Sequence, residues 1–151
     1  MATDTITGND TLTLFDRVFI DLADGDVSTI TFPEELFTAT TGKNGNSIYS
    51  KNEAGGNADV VLRLVRGSAD DRFLQQKLSQ AKQDFASQQL ATGEFVKRLG
   101  DGEGNIKRDV YTLRGGIFNY NQDTKDNAAG DTEQAVIVYR MKFTRVTRSI
   151  Q

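Results

Sequence analysis

One stretch of this chain reads as helix, and the sequence on either side of it reads as strand and turn. Gly67–Leu90, GSADDRFLQQKLSQAKQDFASQQL, opens on Ser68, a good N-cap, with Asp71 three residues on, where a capping box wants an acid. Asp70 and Asp71 also put negative charge at the positive end of the helix dipole. Leu74, Leu78, Ala81 and Phe85 recur at i, i+4, i+7 and i+11, which makes them the core face of the helix, and Phe73 widens the stripe. The spacing predicts a helix over about 69–89. Its other face carries Gln75, Gln76, Gln80, Gln83, Gln88 and Gln89, polar but uncharged. Such a face is either solvated or packed against a neighbouring subunit, because amides hydrogen-bond across an interface without the desolvation cost of charges. One helix laid on β-structure predicts a mainly β, α+β fold.

Strand signals fill the rest. Leu12, Leu14, Val18, Ile20 and Leu22 share one parity, interrupted at Phe15–Arg17 by a bulge or tight turn. Ala23–Asp26 is a turn signal, and Val27–Phe32 is a strand stopped by Pro33, the one proline of the chain. Glu34–Asn57 is too long and too rich in Gly, Asn, Thr and Ser for an ordinary connection. It reads as a protruding loop in which Asn44-Gly45 turns a small hairpin. Leu36, Phe37, Ile48 and Tyr49 would be poorly covered there on a lone monomer. With Lys43 and Asn44 they form a candidate inter-subunit or inter-ring surface. A solvated, disordered loop is the alternative.

Ala58–Val65 is the clearest strand, with Val60, Leu62 and Leu64 on one side and Val61, Arg63 and Val65 on the other. Glu94–Leu99 and Ile106–Leu113 flank a Gly-rich hairpin tip, Gly100–Asn105. Gly115-Gly116 marks a bulge or kink. The last strand, Gln134–Val146, sets Ile137, Tyr139, Met141 and Phe143 on one face and turns Arg140 and Lys142 to the other. The ends, 1–10 and 147–151, read as flexible arms. The sum is a single domain: an antiparallel β-sandwich or partial barrel of about six or seven strands with one helix alongside. Its open sheet edges invite pairing with another chain.

Composition removes most chemistry. The chain has no Cys and no His among 151 residues. That eliminates disulfides, thiolate metal sites, the Ser-His-Asp triad and the commonest zinc ligands and general base. Asp101, Glu103 and Asn105 alternate as calcium ligands would. The loop nevertheless has Ile106 where the turn glycine belongs and Thr112 where the bidentate Glu belongs, so no metal is expected. No cofactor motif is present, and the expectation is a non-enzyme. A net charge of −3 argues against a general nucleic-acid binder. No apolar run is long enough for a membrane anchor, and no signal-peptide pattern opens the chain, so a cytoplasmic origin is expected.

The order of these features resembles a phage family, the inner tail tube proteins of contractile-tailed bacteriophages, related in fold to the type VI secretion tube protein. The likeness is carried by DLADGDVSTITFPEEL at Asp21–Leu36, TGKNGNSIYSKN at Thr41–Asn52, ADVVLRLVRGSADDRFL at Ala58–Leu74, TGEFVKRLGDGEGN at Thr92–Asn105 and GDTEQAVIVYRMKF at Gly130–Phe143. The resemblance implies a structural virion protein. Six copies would form a ring, and rings would stack into a hollow tube whose subunit strands join in one barrel around the lumen. DNA would pass through without specific binding. Implied partners are further copies of the chain, the tail sheath, baseplate and tail-terminator proteins, and a tape-measure protein. The implied location is the inner tube of the phage tail, assembled in the host cytoplasm. Six copies would carry about −18 per ring, and acids in the lumen would repel DNA phosphates. Arg140 and Lys142 are then expected on an outer, sheath-facing or inter-subunit surface. A ligand-binding β-sandwich, such as a carbohydrate-binding module, is the alternative. It would need an aromatic platform, and the chain has no Trp.

Overall fold

The computed structural model describes residues 5–23, 27–124, 126 and 132–151. Among them run ten strands and one α-helix in the order β1 (Thr5–Leu14), β2 (Arg17–Phe19), β3 (Ser28–Thr31), β4 (Phe37–Thr41), β5 (Ser47–Lys51), β6 (Ala58–Val65), α1 (Ala69–Gln83), β7 (Ala91–Gly100), β8 (Ile106–Phe118), β9 (Asp123–Thr124) and β10 (Val136–Ile150). Eight strands make one curled, half-barrel antiparallel sheet, ordered β2-β1-β7-β8-β10-β6-β3, with β9 attached to β10. Strands β4 and β5 form a separate two-stranded sheet. The fold is β-rich α+β, as the sequence predicts.

The half-barrel buries one face. Leu12, Leu14, Val60, Leu62, Leu64, Leu113, Tyr139, Met141 and Phe143 pack there with Leu74 and Leu78 of α1. Strand β6 alternates as expected, burying Ala58, Val60, Leu62 and Leu64. Two glycines are required by close approach. A side chain at Gly93 would collide with Thr13 O of β1, and Gly116 lies under the Phe143 ring. The bulge expected near Gly115 is real: Arg114 and Gly115 oppose the single residue Thr92 across the β7–β8 ladder, and Gly115 has φ 68°.

Several boundaries differ from the sequence reading. The helix stops at Gln83, not near 89, because Asp84 is extended (φ −147°, ψ 97°) and its carboxylate accepts from Ala86 N to cap a 3-10 turn, Phe85–Ser87. Phe85 therefore leaves the predicted core face and is 71% exposed. Neither expected arm is an arm over its described residues. Thr5–Asp10 belong to β1, and Thr147–Ile150 extend β10 along β8, closed by the Gln151–Arg108 backbone pair. Residues 1–4 of the first arm, the Asp24–Asp26 turn, and 125 and 127–131 of the connection before β10 lie outside the described residues.

The parity of β2 also reverses. Phe15 and Asp16 both take positive φ (51° and 61°) and join β1 to β2 in a two-residue turn. The register then sets Leu12 opposite Phe19 and Thr13 opposite Val18. Residues directly opposite in an antiparallel pair share a face. Phe19 is consequently buried, while Val18 and Ile20 are 55% and 80% exposed.

Candidate functional site: the assembly surfaces

The first element to consider is the junction that holds the sheet's two ends in place. After β2 the chain crosses to the far margin of the half-barrel, where Asp21–Ala23 lie along β6: Val65 N donates to Asp21 O and Ala23 N to Arg63 O. Asp70, in the first turn of α1, is fully buried and secures the crossing. Its Oδ2 accepts from Ile20 N at 2.8 Å and Asp21 N at 2.7 Å, and its Oδ1 from Arg17 Nε at 3.0 Å. Asp71 serves the other side. Ser68 Oγ accepts from Asp71 N, and the Asp71 carboxylate accepts from Gly67 N at 2.8 Å and from Tyr139 Oη at 2.7 Å. Burial, and then the hydrogen bond to the Asp71 carboxylate, raise the Tyr139 pKa far above the usual phenol value. Phe73 joins the junction edge-on to Phe15 and Phe19. Helix-dipole reasoning sees a charge preference in these two acids. A bonded staple between α1, β2 and β10 is a tertiary fact.

The segment 34–57 forms the expected hairpin, β4–β5. Its turn is Lys43-Asn44-Gly45, with Gly45 at φ 83° and Gly42 N donating to Asn46 O. Pairing of Ala39 with Tyr49 and Phe37 with Lys51 puts Phe37 and Tyr49 on one face, and Ile48 on the other with Thr40. The hairpin's root is closed by Asn52 N donating to Leu36 O. Leu36, Phe37, Ile48 and Tyr49 are 49%, 65%, 74% and 77% exposed, and Lys43 and Asn44 are exposed at the turn. An ordered, two-sided hairpin with four large uncovered apolar side chains lacks a hydrophobic reason to exist on its own.

The sheet also leaves two long backbone margins open. Strand β1 pairs with β7 on one side, while on the other β2 reaches Leu12–Leu14 alone. Thr5–Thr11 therefore have no ladder partner on that side among the described residues. Strand β10 pairs with β8 over Met141–Ile150 on one side and with β6 over Val136–Phe143 on the other, so Thr144–Ile150 have no ladder partner there among the described residues. Both open runs are seven residues long. They bound a four-strand layer, β1-β7-β8-β10, and point in opposite directions, since each neighbouring pair in it is antiparallel. The hydrogen-bonded pair Gln151–Arg108 fixes which β10 groups face outward: by alternation, the amides of Val146, Arg148 and Ile150 point away from β8.

On α1, Leu74 and Leu78 are buried, Ala81 is half-buried and Phe85 is exposed. Gln75, Gln76, Gln80 and Gln83 line an open groove of about 530 Å³ beside Ile137. Arg140 pairs with Asp123 of β9, and Lys142 lies opposite Asp59 of β6, so both sit on the sheet face away from the core. Asp101 turns inward on its own loop: its carboxylate accepts from Glu103 N, Asn105 N and Asn105 Nδ2. Those bonds hold its carboxyl below the usual carboxylate range and occupy the oxygens a cation would need. No group of three metal-ligating side chains occurs among the described residues. The open margins and the Asp70 staple are the features that sequence reasoning missed. The open sheet edges it anticipated were not located, because an edge is defined by absent neighbours.

No protein-family model matches the sequence, and no curated protein matches it. Solved structures do share the fold. A chain of the anti-feeding prophage cap, the tube-terminating cap, superposes with a TM-score of 0.62 at 12% identity, covering 97% of this chain and 92% of that one. A chain of the sheath/tube terminator of an extracellular contractile injection system, in the extended state, gives 0.58 at 11% identity with 94% of each chain covered. A chain of the anti-feeding prophage baseplate, symmetrised six-fold, gives 0.57 at 12% identity, covering 99% and 97%. At these identities the likeness is one of fold.

Proposed function

We propose that this protein is a structural, non-enzymatic subunit of a contractile phage-type tail, and that its copies close into rings which stack as the inner tube. The observation that carries the reading is the matched pair of open margins. The Thr144–Ile150 margin of one copy, set beside the Thr5–Thr11 margin of the next, continues the antiparallel order of the β1-β7-β8-β10 layer without a break. Such a contact is heterologous, and it closes into a ring when the rotation allows. It would satisfy backbone groups that are otherwise an aggregation hazard.

The solved neighbours support this reading. Chains of the fold occur in structures of the tube-terminating cap and of the six-fold symmetrised baseplate of the anti-feeding prophage. A six-membered ring follows by analogy. The β4–β5 hairpin, with Leu36, Phe37, Lys43, Asn44, Ile48 and Tyr49, then reaches a neighbouring copy or ring, and the basic pair Arg140 and Lys142 takes an outer or inter-subunit place. Sheath, baseplate and terminator proteins are the expected partners, with a tape-measure protein and DNA in the lumen. A second reading, a ring capping the tube end, is favoured by the cap and terminator neighbours.

Negative-stain electron microscopy of concentrated protein tests both. Stacked hollow tubes support the tube reading, and single rings that do not stack support the tube-end reading. Replacing Leu36, Phe37, Ile48 and Tyr49 together by Ser should abolish stacking and leave the thermal unfolding of the monomer within a few degrees of wild type. Loss of the fold in that variant would move these residues into the core and remove the hairpin from the proposal.

A further inference from the structure

The two open margins can be joined in few registers, and hydrogen-bond alternation selects among them. Phe15 N donates to Thr92 O, so by alternation the Thr13 and Thr11 amides also face β7, and the Asp10 amide faces the open side of β1. On β10 the Val146, Arg148 and Ile150 amides face the open side, and the Arg145 amide faces β8. A ladder forms only where outward groups meet outward groups. Pairing Thr144 with Thr11 would set Arg145 opposite Asp10, out of phase. Pairing Phe143 with Thr11 is blocked, because Ala58 of β6 already holds that side of Phe143. Between them and in phase lies the register that sets Arg145 opposite Thr11 and Val146 opposite Asp10.

At this register the joint ends in a fork. Past Thr11 the next copy's chain cannot follow β10 beyond the Phe143–Ala58 pair, and it turns off into its own β1–β2 pairing, which begins at Leu12. Both flanks of the fork are apolar. On one flank is the end of β2, whose register continues to place Ile20 beside Thr11; Val18 and Ile20 are 55% and 80% exposed. On the other is the root of the β4–β5 hairpin. The chain before Ala58 is a 3-10 turn, Glu53–Gly56, that packs against β10. Its buried Gly55 lies so close to Leu36 that a side chain there would collide with the Leu36 backbone. Leu36 itself is 49% exposed. Within one chain the two surfaces sit at opposite ends of β6: Asp21, next to Ile20, bonds to Val65, and Gly55 precedes Ala58. Eight residues of strand hold them roughly 23 Å apart. Across the joint, strand spacing and rise bring Ala58 of one copy to about 8 Å from Ile20 of the next.

We infer that Leu36, at the hairpin root of one copy, seats on Ile20 and Val18 of the next copy in the same ring. The inference rests on the ring reading and assigns the hairpin root a receiving surface. The contact takes large apolar side chains out of water and covers the end of the inter-copy ladder, where its backbone bonds would otherwise meet solvent. The hairpin's tip, Lys43–Gly45, stays available to an adjacent ring. The exposed face of β2 then has a purpose that the isolated subunit does not supply.

Cross-linking tests this cleanly, because the chain has no cysteine of its own. Leu36→Cys and Ile20→Cys are introduced together, and the assembled protein is treated with a flexible bismaleimide too short to span β6. The expected result on a denaturing gel is a covalent series that stops at the number of copies in one ring. A second pair, Thr11→Cys with Arg145→Cys, reports the margin joint itself. A closed series from Thr11 and Arg145 with none from Leu36 and Ile20 overturns this inference alone. Failure of both pairs removes the ring joint together with it. A Leu36–Ile20 series that runs past one ring also overturns it, since the contact then bridges rings. Independently, Leu36→Ser and Ile20→Ser should each raise the protein concentration at which rings form by about tenfold. The double variant should cost little more than the worse single one, because both remove the same contact. Circular dichroism establishes that each variant is folded, and fully additive effects, or none, count against the contact.

Discussion

Truncating Asp70 to alanine should be among the most damaging single changes outside the apolar core, and the structure allows its cost to be apportioned. The carboxylate is fully buried and accepts two backbone amides, Ile20 N and Asp21 N, on the same oxygen, Oδ2. Removing it strands two donors at about 1–3 kcal/mol each. The Arg17 pair adds little, about 0–1 kcal/mol, because the arginine side chain is 36% exposed and water can replace its partner. The expected loss is about 4 kcal/mol, which for a chain of this length lowers Tm by roughly 8–16 °C. Asp70→Asn separates the contributions. Its one oxygen can still accept both amides, so it loses the ion pair alone and should cost about 1 kcal/mol. Arg17→Ala should match it, with a small extra loss from the contact of Arg17 with the Phe73 ring at 5.2 Å. Urea and thermal unfolding by circular dichroism measure the series. Asp70→Ala within 1 kcal/mol of wild type, or Asp70→Asn as costly as Asp70→Ala, would refute the view that the two amides make this residue essential.

Two further outcomes are expected. Leu78→Ala should cost about 2–5 kcal/mol, as for a buried leucine, while Phe85→Ser, at a position 71% exposed, should stay within about 0.5 kcal/mol in the same unfolding assay. For pH, the folded-state pKa of Tyr139 lies above the unfolded value of 10.0, so the phenol's contribution is complete below pH 10. Above pH 10 the unfolded chain releases this proton while the folded protein retains it, and stability falls as pH rises. Tyr139→Phe should therefore be less stable than wild type at pH 7 and lose less stability between pH 9 and pH 11 in denaturant titrations, and equal slopes would contradict the assignment.

Features that repeat along the chain were legible before the structure. Leu74 and Leu78 recur at helical spacing, Ala58–Leu64 and Ile137–Phe143 at strand spacing, and each is buried on the expected side. Asn44-Gly45 announced the hairpin through the conformation that glycine alone adopts freely, and Gly115 announced the bulge in the same way. Errors fell where one local preference met another. Phe85 continued the apolar stripe, but Asp84 offered the backbone a cap, and the cap ended the helix first.

The sequence by itself determined the fold class, the place of the helix, the apolar faces of β6 and β10, and the absence of thiol and imidazole chemistry. These follow from residue type and period, which act over a few neighbours. Tertiary structure alone decided which face β2 presents, since a two-residue turn through Phe15 and Asp16 set its register against β1. It alone made Asp70 a buried acceptor for residues 49 and 50 positions away. It also left the Thr5–Thr11 and Thr144–Ile150 margins open, and set Arg98 opposite Arg108 and Arg114 opposite Arg145. Each of these depends on which strand lies beside which, and strand pairing is settled by contacts between residues far apart in the chain, where sequence period carries no information.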